Sequence, residues 1–357
     1  MAREASSREL ASSQFNSGKQ RKQKRLLWVD YAKGIGIFLV AVGHVLRGLI
    51  NSSIIPNSPT LEFIDHWIYA FHMPLFFFIS GLFVQRSLSK PFKTFILDKV
   101  YVIAYPYFVW SIFQSILQYI ASNYTNSDLS LTDIWKIVYQ PQMQFWFLYT
   151  LFVIMLLYGV LYKLKVTPAV FFAISVGVYC LHVLDVSFGP WGILYLARRY
   201  ALYLALGIII GKYIDHHDLL AAKNRLSHLI LWSIALGGYL ALGIATSFRM
   251  TENIATVPLV AAVGILASVV LANILANLSI LPFLSRWGTL SLEIFVAHSI
   301  FASVLRIILS KGFGLNEPIA HIVLGVAISI YAPIALNDIC QKLNFQYLFT
   351  LRQLKAR

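Results

Sequence analysis

Apolar runs of helix-spanning length recur along almost the whole chain, separated by short polar segments. An α-helix needs about 20 apolar residues to cross the hydrocarbon core of a bilayer. The pattern predicts ten such helices, at residues 32–50, 65–84, 101–121, 145–162, 168–187, 191–211, 228–247, 256–279, 289–309 and 317–340. The charges between them alternate. With the N-terminal tail placed in the cytoplasm, the inner segments hold Arg86, Lys90, Lys93 and Lys99, then Lys163 and Lys165, then Lys212, Lys223 and Arg225, then Arg286 and a basic C-terminus. The outer loops hold Lys136, Arg249 and Lys311 among acids such as Glu62, Asp128, Asp133 and Glu252. A missed or invented span would break this positive-inside alternation. The fold class expected is therefore all-α: a polytopic membrane protein of about ten transmembrane helices, with both termini cytoplasmic.

Composition agrees. Of the 357 residues 58% are hydrophobic and only 12% charged, against about 25% charged in a soluble domain. A net charge of +14 could suit nucleic acid, but the basic residues lie between apolar runs, where they orient the protein in the bilayer. No nucleic-acid partner is expected. Cys180 and Cys340 both fall inside apolar segments, which argues against a disulfide framework or a metal cluster. Residues 1–25 end in a basic run, with no small-residue cleavage site after the apolar segment that follows, and read as a disordered cytoplasmic tail. The transmembrane domain is expected over 26–345, with a basic tail at 346–357. The longest loops, near 122–144 and 212–227, are too short for a soluble domain. The two halves share no motif, which argues mildly against an inverted-repeat transporter.

Ionisable residues inside spans are costly and usually functional. Lys33 and His44 lie eleven residues apart in the first span, on one helical face and about 16 Å apart along its axis. The topology puts His44 and His72 at similar depth in the outer half of neighbouring spans. Arg198 and Arg199 occupy the outer half of the sixth, Arg306 the outer half of the ninth, His298 its middle, and Glu293 lies nearer the cytoplasm. A lone intramembrane histidine often only bonds a neighbouring helix, and Arg47 and Arg306 are expected to snorkel to the surface. Adjacent arginines point about 100° apart, so Arg198 or Arg199 should face the bundle interior. A histidine is the usual general base for a hydroxyl. Cations at the cytoplasmic mouth (Lys33, Arg86, Lys90, Lys93) suit a phosphate-bearing donor. The residues alone point to an enzyme or a transporter with a polar membrane cavity.

Four blocks carry a resemblance. RLLWVDYAKGIGIFLVAVGHV, FHMPLFFFISGLFVQR, QFWFLYTLFVIMLLY and GTLSLEIFVAHSIF stand in order across about 270 residues. Together they resemble the bacterial integral-membrane acyltransferase 3 family, whose members O-acylate cell-surface glycans. Lys33 and His44 fall on the basic residue and the histidine of its first-span motif, where arginine is commoner than lysine. The resemblance implies transfer of an acetyl group from acetyl-CoA to a sugar hydroxyl in the bacterial cytoplasmic membrane. It is closest to stand-alone, fucose-acetylase-like members acting on exopolysaccharide, capsule or lipid-linked units. The implied roles are catalysis by His44, as general base or transient acyl carrier, with His72 and His298. Lys33, Arg86, Lys90 and Lys93 would bind the donor; Arg198, Arg199, Trp146 and Glu293 the acceptor. No metal is expected. Succinyl transfer, or transport of a glycan or lipid without covalent chemistry, are the competing readings.

Overall fold

In lipid every backbone N–H and C=O must be satisfied within the protein, so an apolar run of this length crosses as a helix. The computed structural model describes residues 26–120, 131–187, 189, 192–214 and 225–351, and among these there is helix but no strand. Residues 1–25 and 352–357 lie outside the described residues; the first part of the expected tail at 346–357 packs on the bundle instead, with Phe349 buried against Trp110, whose Nε1 donates to the Leu348 carbonyl at 2.9 Å. The chain is an all-α, multi-pass membrane protein.

Helix α1 is Leu27–Asn51, followed by α2 (Pro59–Tyr69), α3 (His72–Leu82), α4 (Val84–Leu88) and α5 (Phe92–Lys99). A π-helical turn at Val100–Ala104 joins α5 to α6 (Tyr105–Ile120). Then come α7 (Trp146–Lys163), α8 (Pro168–Val183), α9 (Gly192–Tyr213), α10 (Arg225–Ser247) and α11 (Val257–Leu278). A short α12 (Pro282–Thr289) precedes α13 (Ser291–Ile307) and α14 (Pro318–Lys342). Among the described residues, eight helical stretches are long and apolar enough to cross a bilayer. The other two expected spans take different forms. One is α8, an apolar helix of 16 residues; the other is the α2–α3 pair.

The run at 65–84 is not one helix, and Pro74 explains the break. A proline inside a continuous helix loses a hydrogen bond and clashes with the preceding turn. Restarting the helix at His72 puts Pro74 in a first turn, where its missing N–H costs nothing. The break strands the last carbonyls of α2. His72 answers one of them, its Nδ1 lying 2.7 Å from the Ile68 carbonyl oxygen.

The helix ends gather at two opposite ends of α1. The residue before α1 shares a cavity with the ends of α3 and α9. The end of α1 shares another with the end of α13 and the start of α14. Helix α1 is the hub, packing against α3, α11, α12, α13 and α14.

Lipid tails are as apolar as leucine, so close backbone approach rather than the hydrophobic effect drives helix association here. Two contacts show it. On α9, Gly207 and Gly211 face the Phe78 and Leu82 carbonyls of α3, and Gly81 of α3 faces the Leu204 carbonyl; a Cβ at any of the three would collide with backbone. Between α1 and α12, Gly34 faces the Leu284 carbonyl and Gly288 the Asp30 carbonyl in the same way.

Candidate active site

Two polar stripes face each other at one end of the bundle. His44, Arg47 and Asn51 follow the i, i+3, i+7 spacing of one face of α1; Ser299, Ser303 and Arg306 follow i, i+4, i+7 on α13. All six line one cavity of about 290 Å³, with His321 of α14 and Met143 completing the wall.

The imidazoles of His44 and His298 are 4.8 Å apart between ring centres, inclined at 67°. His298 is fully buried, and its Nδ1 lies 2.7 Å from the Phe295 carbonyl oxygen. A carbonyl only accepts, so Nδ1 carries the proton and Nε2 holds the lone pair. That Nε2 is buried without a hydrogen-bond partner. By the same reasoning His321 donates from Nε2 to the Leu315 carbonyl, 2.8 Å away, leaving Nδ1 as an acceptor.

Behind this face of α1 stands α2. Arg47 grips Asp65 bidentately, Nε to Oδ1 at 2.6 Å and Nη2 to Oδ2 at 2.7 Å. Its guanidinium carbon lies 3.3 Å from the centre of the Tyr69 ring. Tyr69 in turn stands edge-on to His44 at 6.3 Å and to His72 at 4.7 Å. Gly43 makes room for that tyrosine, since a Cβ there would sit 2.9 Å from a ring carbon. His72 therefore lies behind Tyr69, held by Ile68, and His298 is the histidine in direct contact with His44. Neither Arg47 nor Arg306 simply snorkels: Arg306 donates from Nη1 to the Gly48 carbonyl at 2.6 Å.

Gln144, just before α7, supports α13 from behind. It is buried and donates to Gln114 at 2.8 Å and to Ser299 at 2.7 Å. The sequence reading missed Gln144, Tyr69, Asp65 and His321. The polar stripe on α13 was the signal available for Ser299 and Ser303.

The remaining expected site residues fall into three other places. Trp146 packs on Tyr200 at 4.9 Å. Arg199 lies 5.7 Å from that tyrosine's ring centre and within electrostatic reach of Tyr179, Tyr195 and Tyr203. Buried Arg198 donates to the Val186 carbonyl. Lys33 and Glu293 lie within electrostatic reach of each other on α1 and α13. At the opposite end of α1 from His44, Arg86 and Lys212 line a second cavity of about 290 Å³. Lys90 there pairs with Asp98 at 3.1 Å, and Lys93 is exposed.

An all-helical, multi-pass membrane protein with a histidine pair set against a polar cavity is the class these features define. The acyltransferase 3 family model, an acyltransferase domain, matches residues 26–338, and the chain belongs to that family. It is a membrane acyltransferase. Neither a curated protein nor a solved structure matches the chain.

Proposed function

We propose that the protein moves an acetyl group from acetyl-CoA to a sugar hydroxyl of an exopolysaccharide, capsule or lipid-linked glycan, in a bacterial cytoplasmic membrane. One observation carries the reading: His44 lines a polar cavity while its ring lies against His298, whose tautomer is fixed by backbone.

The chemistry follows from that pair. His44 takes the proton of the acceptor hydroxyl as its oxygen attacks the thioester carbonyl. The new C–O bond forms, the C–S bond breaks, and the proton passes to the departing thiolate, so atoms and charge balance. The His298 Nε2 lone pair stabilises the imidazolium that His44 becomes while it holds the proton. Tyr69, in contact with Arg47 and His72, backs the His44 ring. The reaction needs no metal ion.

Donor binding belongs to the opposite end. Lys33 stands eleven residues before His44 on α1, and Arg86 with Lys212 supplies a cationic cavity there. These groups suit the phosphates of a coenzyme A ester. Arg199 and Trp146, among tyrosines, suit a sugar face, since aromatic rings combine apolar faces with hydroxyls.

The decisive test compares surface polysaccharide from cells with and without the gene, by mass and by NMR of base-labile esters. An acetyl ester present only with the gene is the expected result. Unchanged esters together with a change in exported glycan would favour transport.

A further inference from the structure

The charge balance of the His44 cavity names its ligand more closely, resting on the acyl-transfer reading above. Two guanidinium groups line that cavity, Arg47 and Arg306, and no carboxylate does. Arg47 is neutralised by Asp65. Arg306 is half-buried, and its one hydrogen bond goes to a neutral acceptor, the Gly48 carbonyl. Among the described residues no carboxylate pairs with it. A cation held at membrane depth without a counter-charge is costly, and such residues mark ligand paths. An arginine has five N–H donors in a planar fork matched to carboxylate or phosphate. One is spent on Gly48, and that bond turns the guanidinium back towards α1 rather than out to lipid.

The rest of the wall suits hydroxyls. Ser299, Ser303 and Asn51 can donate or accept, and His321 presents Nδ1 as an acceptor. A volume of about 290 Å³ lies at the small end of ligand cavities, enough for one sugar ring rather than an oligosaccharide.

We infer that the His44 cavity binds an anionic reactant, with a carboxylate or phosphate on Arg306 and a sugar ring along Ser299, Ser303 and His321. The negative group belongs either to the acceptor sugar or to the far end of the acyl chain. The acceptor hydroxyl then lies at His44 because the anion fixes the ring at its other edge.

The test uses the full-length protein in lipid nanodiscs, with four reactant pairs. The reference is acetyl-CoA with methyl glucoside. Two arms keep acetyl-CoA and offer methyl glucuronide or glucose 1-phosphate; the last offers succinyl-CoA with methyl glucoside. One anionic arm should exceed the reference in kcat/KM. Arg306→Gln should lower that ratio roughly 10- to 100-fold, mainly through KM, as expected for a lost charged hydrogen bond. Arg306→Lys, which keeps the charge, should restore part of it in that arm alone, whereas loss of a mere helix tie would change every arm alike. The arm that responds identifies where the charge sits. A wild-type preference for the neutral pair, or an equal loss in every arm of Arg306→Gln, would overturn the inference. If no pair is acylated, the proposed acetyl-CoA donor or sugar acceptor is what fails. Binding of methyl glucuronide, glucose 1-phosphate and succinate, compared between wild type and Arg306→Gln by thermophoresis, then decides alone: weaker binding of one anion in the variant supports the site, equal binding of all three rejects it.

Discussion

His44 and His298 touch edge to face, 4.8 Å between ring centres, although they stand on the first long helix and on α13. Their contact divides the labour. His44 meets the cavity, and His298, its Nδ1 proton committed to backbone, offers only a lone pair. His44→Ala should reduce acyl transfer by about 10²- to 10⁴-fold, the usual contribution of a general base. His298→Asn should reduce kcat by roughly 10- to 100-fold, the scale of one hydrogen bond to a charged group. Both variants should appear in the membrane fraction at wild-type levels by immunoblot, and unchanged turnover in His44→Ala would remove the proposed mechanism.

His72 has a structural duty that His44 lacks. Its ring satisfies a carbonyl left open by the α2–α3 break. His72→Phe keeps the size but leaves that carbonyl buried and unpaired, at a cost of about 1–3 kcal/mol. Thermal unfolding in detergent should shift down by several degrees, and activity per folded molecule should fall far less than in His44→Ala. A kcat loss matching that of His44→Ala in fully folded His72→Phe would assign His72 to the chemistry itself.

At the other end of α1, Lys33 is assigned to the donor. Lys33→Arg keeps the cation and should retain most activity. Lys33→Ala should raise KM for the acyl-CoA about tenfold or more, the scale of a lost charge-assisted contact, with little change in KM for the acceptor. Initial rates at varied donor and acceptor concentration separate the two, and a purely acceptor-side effect would contradict the assignment.

The α3–α9 contact has no spare volume. Gly207→Val would drive side-chain carbons into the Phe78 carbonyl. Overpacking commonly costs about 1–3 kcal/mol, and more where backbone must move. Size-exclusion yield and melting temperature of the purified variant should both drop, whereas Gly237→Val on α10, where a Cβ meets nothing within 4 Å, should leave both nearly unchanged.

The all-helical, multi-pass class was legible because lipid imposes one rule on every backbone and hydropathy records it directly; of the ten expected spans, eight are long and apolar enough to cross among the described residues. The broken span was written more faintly: Pro74 was visible, but the place where the helix restarts depends on His72 reaching Ile68. Depth along a helix was also readable, which is how Lys33 and His44 stood out. Which helices face each other was not. His44 was matched with His72 because their spans adjoin in the chain, while its ring partner His298 comes from a helix α1 meets only through tertiary packing. Arg47 and Arg306 resembled surface anchors until Asp65, Tyr69 and Gly48 supplied partners. His321, the fourth residue of α14, carried no sequence signal that set it apart. Its place in the cavity wall depends on how α14 leans on α1.

The two cavities at opposite ends of α1 carry a consequence for transport. On the proposed reaction, the bulky, multiply charged coenzyme stays at one mouth and the glycan at the other, and α1 separates them by about three helical turns. Only the thioester arm with its acyl group reaches along α1 to His44. The cell would thereby decorate a glycan at one face from a coenzyme held at the other, without a separate carrier for the coenzyme.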